Sequence, residues 1–227
     1  MNALYRWLCE RAGIDKVWEA LFARKVPHAK GASAWLYTLG SAAMLIFTVQ
    51  FVTGALLAMS YSPSPDHAYD SVRFIDGSVL FGSLVRGLHH WGATFMVVLT
   101  TLHMLRTYCM GAYKYPRELT WMVGVGLFLL VLGFSFTGYL LPWDQKAYWA
   151  TVVGGNIAGQ VPVLGPYISK ILLGGSDMGA ATLTRFYAIH VLVLPALAVG
   201  AVGVHLFLVV WNGISEPPKR VPKAGAP

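Results

Sequence analysis

His89, His103, His190 and His205 lie in apolar stretches long enough to cross a bilayer, where an imidazole must find a partner or cost free energy. The first two are 14 residues apart and the last two 15. At about 3.6 residues per turn and 1.5 Å per residue, either spacing returns within roughly 40° to 60° of its starting direction and separates its members by about 21 Å. His89 and His190 sit a turn or two inside one end of their segments, His103 and His205 near the other. Two helices running in the same direction therefore present two level pairs, and both pairs can face a bundle interior. Two imidazoles facing each other across a bundle core are the ligand set of a six-coordinate haem iron. Such an iron has no open position, which suits electron transfer. A single intramembrane His is as readily explained by a hydrogen bond to a backbone carbonyl; four in matched register are harder to explain that way.

Glycine repeats the same period. Gly40 and Gly54 share one apolar segment, Gly124 and Gly138 another, each pair again 14 residues apart. If these two segments run opposite to the histidine-bearing ones, Gly54 and Gly138 fall level with His89 and His190, and Gly40 and Gly124 with His103 and His205. A flat macrocycle pressed against backbone needs residues without a Cβ at those points. Small-residue packing is common in membranes and the chain has 24 glycines, so one such pair would carry little weight, and two pairs in the histidine period carry more. Arg86 lies three residues before His89 and Arg106 three after His103. Each can project toward the edge of a bound macrocycle and hold its propionates, or serve as a snorkelling anchor at a helix end. His90 reads as an interface residue, and His28 and His67 lie outside the apolar segments.

These residues need helices to carry them. The chain is 56% hydrophobic and 12% charged, with mean hydropathy +0.57, too apolar for a soluble domain of 227 residues. Four segments are long enough to span about 30 Å of hydrocarbon: Ala34 to Met59, Leu84 to Tyr108, Leu119 to Leu141, and Thr184 to Trp211. The expected fold class is an all-α membrane protein, a four-helix transmembrane bundle holding two haems with an N-terminal amphipathic interfacial helix. Residues 1–30 lack the apolar core of a cleavable signal peptide, and Leu4, Leu8, Val17, Leu21 and Phe22 fit that interfacial helix. Acidic residues interleave its basic ones, which argues against a nucleic-acid-binding arm. Lys and Arg concentrate before the first span, between the second and third, and in the tail, which puts both termini on the cytoplasmic side. Residues 31–215 form the dihaem domain and residues 216–227 a Pro-rich tail. The long connection between the third and fourth spans has room for two short helices. Cys9 and Cys109 both fall on the reducing side and are expected as free thiols.

The stretches "VRGLHHWGA", "KYPRELTW", "FTGYLLPWDQKAYWATVV" and "TLTRFYAIHVLVLPAL" resemble the cytochrome b subunit of quinol:cytochrome c (or plastocyanin) oxidoreductases. The length, the four spans and the 15-residue gap are similar to the split, cytochrome b6 type, over roughly residues 30 to 215. That resemblance implies two non-covalent haem b groups. His89 and His190 would hold the outer, low-potential one, and His103 and His205 the inner one. It implies a subunit that takes one electron from quinol at the outer face and passes it through both haems to an inner quinone site, contributing to proton translocation. By the same resemblance Phe136, Tyr139 and Ala150 wall the outer quinol pocket, and Pro142 and Trp143 shape the turn that closes it. The implied partners are a Rieske iron–sulfur protein, a subunit IV-like chain with the remaining helices, a c-type cytochrome and a second copy of the complex. The implied location is a bacterial inner membrane rather than a thylakoid-type one. Where the b6 type commonly carries a Cys that tethers a third haem, this chain has Thr38, so a covalent third haem is not expected. Two other classes fit parts of the pattern: a dihaem membrane anchor of the formate dehydrogenase or nitrate reductase type, which does not bifurcate electrons, and a haem-free transporter using buried His as a relay.

Overall fold

The computed structural model describes residues 31–175 and 177–215, together with Ala3, Arg6, Cys9 and Arg11. Apart from those four, the proposed amphipathic segment lies outside the described residues, as does the tail from residue 216. Within the described residues all regular structure is helical. After a 3-10 turn at Gly31–Tyr37 come α1 (Leu39–Ala58), α2 (Ala68–Ser78), α3 (Gly82–Cys109), α4 (Glu118–Leu140), α5 (Gln145–Gly159), α6 (Gly165–Leu173) and α7 (Ala180–Asn212). A π-helical turn at Ile189–Val193 interrupts α7.

Helices α1, α4 and α7 are long and apolar enough to cross a membrane. At 28 residues α3 is longer than α1, but His89, His90, His103, Arg86 and Arg106 dilute its apolar character. The expected spans are displaced by a few residues at each end, and the largest departure is at the start of the first, where residues 34–37 form the 3-10 turn rather than α-helix. The connection between α4 and α7 does hold two short helices, α5 and α6. Asp144 caps α5 by accepting the Ala147 N–H at 2.8 Å. Pro166 sits in the first turn of α6, where its missing N–H is harmless, and Gly174 ends that helix in the left-handed conformation at φ 81°. Helix α2 went unanticipated because its hydropathy is low; it buries Ala68 and Ile75.

The long helices pack as two pairs, α1 with α3 and α4 with α7, joined by thinner contacts between α3 and α4 and between α1 and the π turn. The apolar windows of α1, α4 and α7 are 6%, 0% and 11% buried within the protein, so most of their side chains stand outside any packed core. The close-packed core lies at one end instead. There Ala68, Leu140, Leu183 and Phe186 pack together, flanked by Tyr61, Phe136, Leu141, Trp143 and Met178. The Tyr61 hydroxyl donates to the Leu141 carbonyl at 2.6 Å and its ring stacks on Tyr187 at 5.5 Å. This end, with α2, α5 and α6, is the loop end of the molecule. Tyr37, Cys109, Arg117 and Asn212 mark the opposite end.

Candidate functional site

Along α3 and α7 the four histidines fall at two depths. At the depth nearer the loop end, the rings of His89 and His190 face each other with centroids 6.3 Å apart and planes at 76°. Both rings at this level have their Nδ1 occupied. Thr53 Oγ1 donates to the Val49 carbonyl at 2.6 Å and stands 2.9 Å from His89 Nδ1; Thr137 Oγ1 donates to the Gly133 carbonyl at 2.7 Å and stands 3.0 Å from His190 Nδ1. With the hydroxyl hydrogen used on a carbonyl, each threonine oxygen accepts from the imidazole, so Nδ1 carries the proton and Nε2 keeps its lone pair. Two such lone pairs make a donor set for one metal ion. A bond of about 2 Å from each nitrogen to a first-row metal, plus about 1 Å from nitrogen to ring centre, spaces two ring centres by roughly 6 Å. The observed 6.3 Å fits one metal ion between them. Among the described residues no group of three or more His, Cys, Asp or Glu converges, so further ligands would have to come with the metal, as they do in a macrocycle.

At the other depth His103 and His205 are electrostatic neighbours, with Arg106 beside His103. The Nδ1 of His205 is buried without a hydrogen-bond partner; the Thr120 carbonyl faces it outside bonding geometry.

Each glycine of the 14-residue pairs stands behind one histidine. A Cβ on Gly54 would lie 3.1 Å from His89 Cε1, on Gly40 3.2 Å from His103 Cε1, on Gly124 3.3 Å from His205 Cε1, and on Gly138 2.6 Å from His190 Cε1. The levels are those expected from the sequence. At each of the four positions the space a side chain would take is next to an imidazole ring of the paired helix.

The π turn accounts for the unequal spacings. Pro195 has no N–H for the Val191 carbonyl, and the helix widens just before it, at Ile189–Val193, the turn that contains His190. A wide turn accommodates one extra residue without rotating the rest of the helix. The 15 residues from His190 to His205 thereby match the 14 on α3, where a regular helix would leave the two pairs out of phase.

The two arginines differ. Arg86 Nε is engaged by Asp76 Oδ1 at 2.6 Å, a partner that sequence spacing did not suggest. Arg106 lies 4.0 Å above the Tyr37 ring, and its Nε and one terminal nitrogen are buried without partners. The Tyr37 hydroxyl in turn donates to the Ser215 carbonyl at 3.2 Å. An unpaired buried guanidinium nitrogen is costly unless an anionic group meets it. His90 is exposed and stands edge-on to Trp91, separate from His89's partners.

At the loop end Phe136 packs against Phe186 at 5.4 Å, and a Cβ on Gly154 would strike its ring at 2.6 Å. Tyr139 and Ala150 are exposed on α4 and α5. Trp143 adopts φ 51° at the turn after Pro142 and stands edge-on to Tyr148. Cys9 and Cys109 are free. Thr53 and Thr137 escaped the sequence reading, although a signal exists: each directly precedes the glycine at its level.

The sequence profile of cytochrome b/b6/petB matches residues 25–213. The chain is 44% identical over 222 residues to the menaquinol:cytochrome c reductase cytochrome b subunit of Geobacillus thermodenitrificans, covering 96% of this chain and 99% of that one. It is 45% identical over 213 residues to the cytochrome b6 of Heliobacterium mobile, covering 93% and 99%. Its fold matches a chain of a hyperthermophilic respiratory Complex III with TM-score 0.84 and 33% identity, over 98% of this chain but 59% of that one. With helices fit to span a membrane, imidazoles facing each other between them and a profile match over most of its length, the chain belongs to the cytochrome b/b6 family.

Proposed function

We propose that the chain is the dihaem, cytochrome b6-type subunit of a quinol:cytochrome c (or plastocyanin) oxidoreductase, active only within that complex. It takes one electron from quinol at the outer face and passes it across the membrane to an inner quinone site, contributing to proton translocation. In this reading the loop end is the outer face, both termini are cytoplasmic, and the membrane is a bacterial inner membrane. Residues 1–30 lie along the cytoplasmic surface, residues 31–215 form the four-helix dihaem domain, and residues 216–227 are a cytoplasmic tail. The partners are a Rieske protein, a subunit IV-like chain with the remaining helices, a c-type cytochrome and a second copy of the complex. The names of relatives acting as menaquinol:cytochrome c reductase and cytochrome b6 subunits support it.

The observation that carries the reading is the opposed His89–His190 pair, its rings 6.3 Å apart and its Nδ1 atoms already engaged. His89 and His190 hold the outer haem b iron through Nε2, and His103 and His205 hold the inner one. Gly54 and Gly138 admit the outer imidazoles, Gly40 and Gly124 the inner. Arg106 offers its unpartnered nitrogens to a propionate at the inner level, and Arg86, oriented by Asp76, faces the outer edge. Haem b, once bound, supplies one-electron chemistry at an iron without a free coordination position. Phe136, Tyr139 and Ala150 form one wall of the outer quinol pocket, which the partner chain completes. Thr38 donates to the Trp35 carbonyl at 2.8 Å and has no thiol to tether a third haem.

The test uses the assembled complex poised with quinol, its inner quinone site blocked. Adding an oxidant of the c-type cytochrome should drive a transient reduction of b haem, because quinol oxidation sends its two electrons along separate routes. Simple oxidation of b haem under those conditions contradicts bifurcation and favours a linear anchor.

A further inference from the structure

The two histidine levels are not equivalent. Thr53 and Thr137 are each 5% exposed, and each Oγ1 lies within 3.0 Å of an imidazole Nδ1. Other hydroxyls in the spans, at Thr48, Thr100, Thr101, Thr107 and Ser135, bond back to a carbonyl four residues earlier and go no further. Thr53 and Thr137 make that same bond and then accept a second one from a ring on the neighbouring helix. One position before the corresponding glycines at the inner level stand Leu39 and Val123, which have no hydroxyl. A backbone carbonyl lies by the ring at both levels, Gln50 and Phe134 beside His89 and His190 and Thr120 beside His205, so the threonine hydroxyls are what sets the first level apart.

We infer that Thr53 and Thr137 are positioning residues for the outer pair. Each fixes its imidazole as the Nδ1–H tautomer, sets the ring plane and strengthens Nε2 as an electron donor, and the inner level has Leu39 and Val123 in the corresponding places. The inference rests on the reading that these histidines hold haem iron. An acceptor at Nδ1 raises the basicity of the ligating nitrogen, and a more basic axial ligand favours the oxidised iron. The two threonines thus bias the outer level toward a lower potential through this chain's own side chains. Their hydroxyl hydrogens are held by backbone carbonyls of α1 and α4, which leaves an oxygen lone pair for the ring.

The experiment replaces Thr53 and Thr137 by Val and by Ser in the assembled complex, with redox titration and low-temperature electron paramagnetic resonance of each haem. The valine variants should keep both haems, shift the midpoint of one upward and move the g-values of that haem alone, and the serine variants should restore both properties. A valine variant that loses the outer haem while its serine counterpart retains it supports the same role. Val123→Thr, nearly isosteric, should lower the midpoint of the other haem. Unchanged potentials and g-values in the valine variants overturn the inference, as does equal loss of haem in the valine and serine variants, which would assign these positions to packing. A wild-type complex with fewer than two haems per chain overturns the haem reading itself, separately from the threonine assignment.

Discussion

Gly138 and His190 are in closer register than any other glycine–histidine pair at the four positions: a methyl on Gly138 would stand 2.6 Å from His190 Cε1, against 3.1 to 3.3 Å for the other three. A contact that short requires the ring to move, whereas a few tenths of an ångström relieve the others. His190 also sits in the π turn, whose widened backbone is fixed by Pro195.

Gly138→Ala is therefore expected to do the most damage of the four alanine substitutions. Overpacking of this kind costs about 1–3 kcal/mol. The expected outcome is loss of one haem of two, while Gly124→Ala retains both. Haem-to-protein ratios of the purified complexes check it, and equal effects at the two positions would show that the imidazole contact is not what the glycine serves.

His103→Ala is expected to remove the inner haem and leave the outer one with its spectrum intact, since the two pairs share no ligand. Difference spectra of the variant decide this. Loss of both haems would mean that the pairs fold as one unit, and loss of neither would remove His103 from the ligand set.

Asp144 starts α5 by accepting the Ala147 N–H, and nothing else in the turn replaces that acceptor. Asp144→Ala is expected to lower stability by about 1 kcal/mol, the usual cost of a lost N-cap. Protease sensitivity should rise in the α4–α5 turn and not in α3. A variant with wild-type melting and digestion would show that the tertiary contacts of α5 carry it alone.

Tyr61 ties the α1–α2 connection to the end of α4 through its bond to the Leu141 carbonyl. Burial pushes its phenol above the ordinary range, and the neighbouring Tyr187 adds to the shift. A raised folded-state pKa makes the contribution full below the unfolded value of about 10 and progressively lost as pH rises beyond it. Tyr61→Phe is expected to lose about 1 kcal/mol at neutral pH, the net worth of a typical hydrogen bond. The wild-type advantage should shrink as pH climbs above 10. Parallel melting curves from pH 7 to about 11 check the sign, and a gap that widened with pH would reverse it.

Much of the site was legible because a period can be counted. The four histidines, the four glycines and their two levels follow from spacings of 14 and 15 along apolar runs. The π turn was not legible, although Pro195 marks its place, because a proline in a helix can kink, break or widen it and sequence does not choose among these. Thr53 and Thr137 were passed over because a threonine in a membrane helix ordinarily bonds its own backbone; the ring on the adjacent helix is a tertiary fact. The Asp76 partner of Arg86 is not legible from spacing, because Asp76 lies ten residues away on a helix of low hydropathy. Helix α2 itself was missed for the same reason.

The central claim, that this chain carries two irons each between two imidazoles, is tested most directly by the reduced-minus-oxidised spectrum and haem content of the purified complex. The account predicts two haem b per chain, with two resolvable alpha bands and low-spin signatures that do not change on adding small iron ligands, since neither iron has a free position. One haem per chain, none, or an iron that binds an added ligand would contradict it.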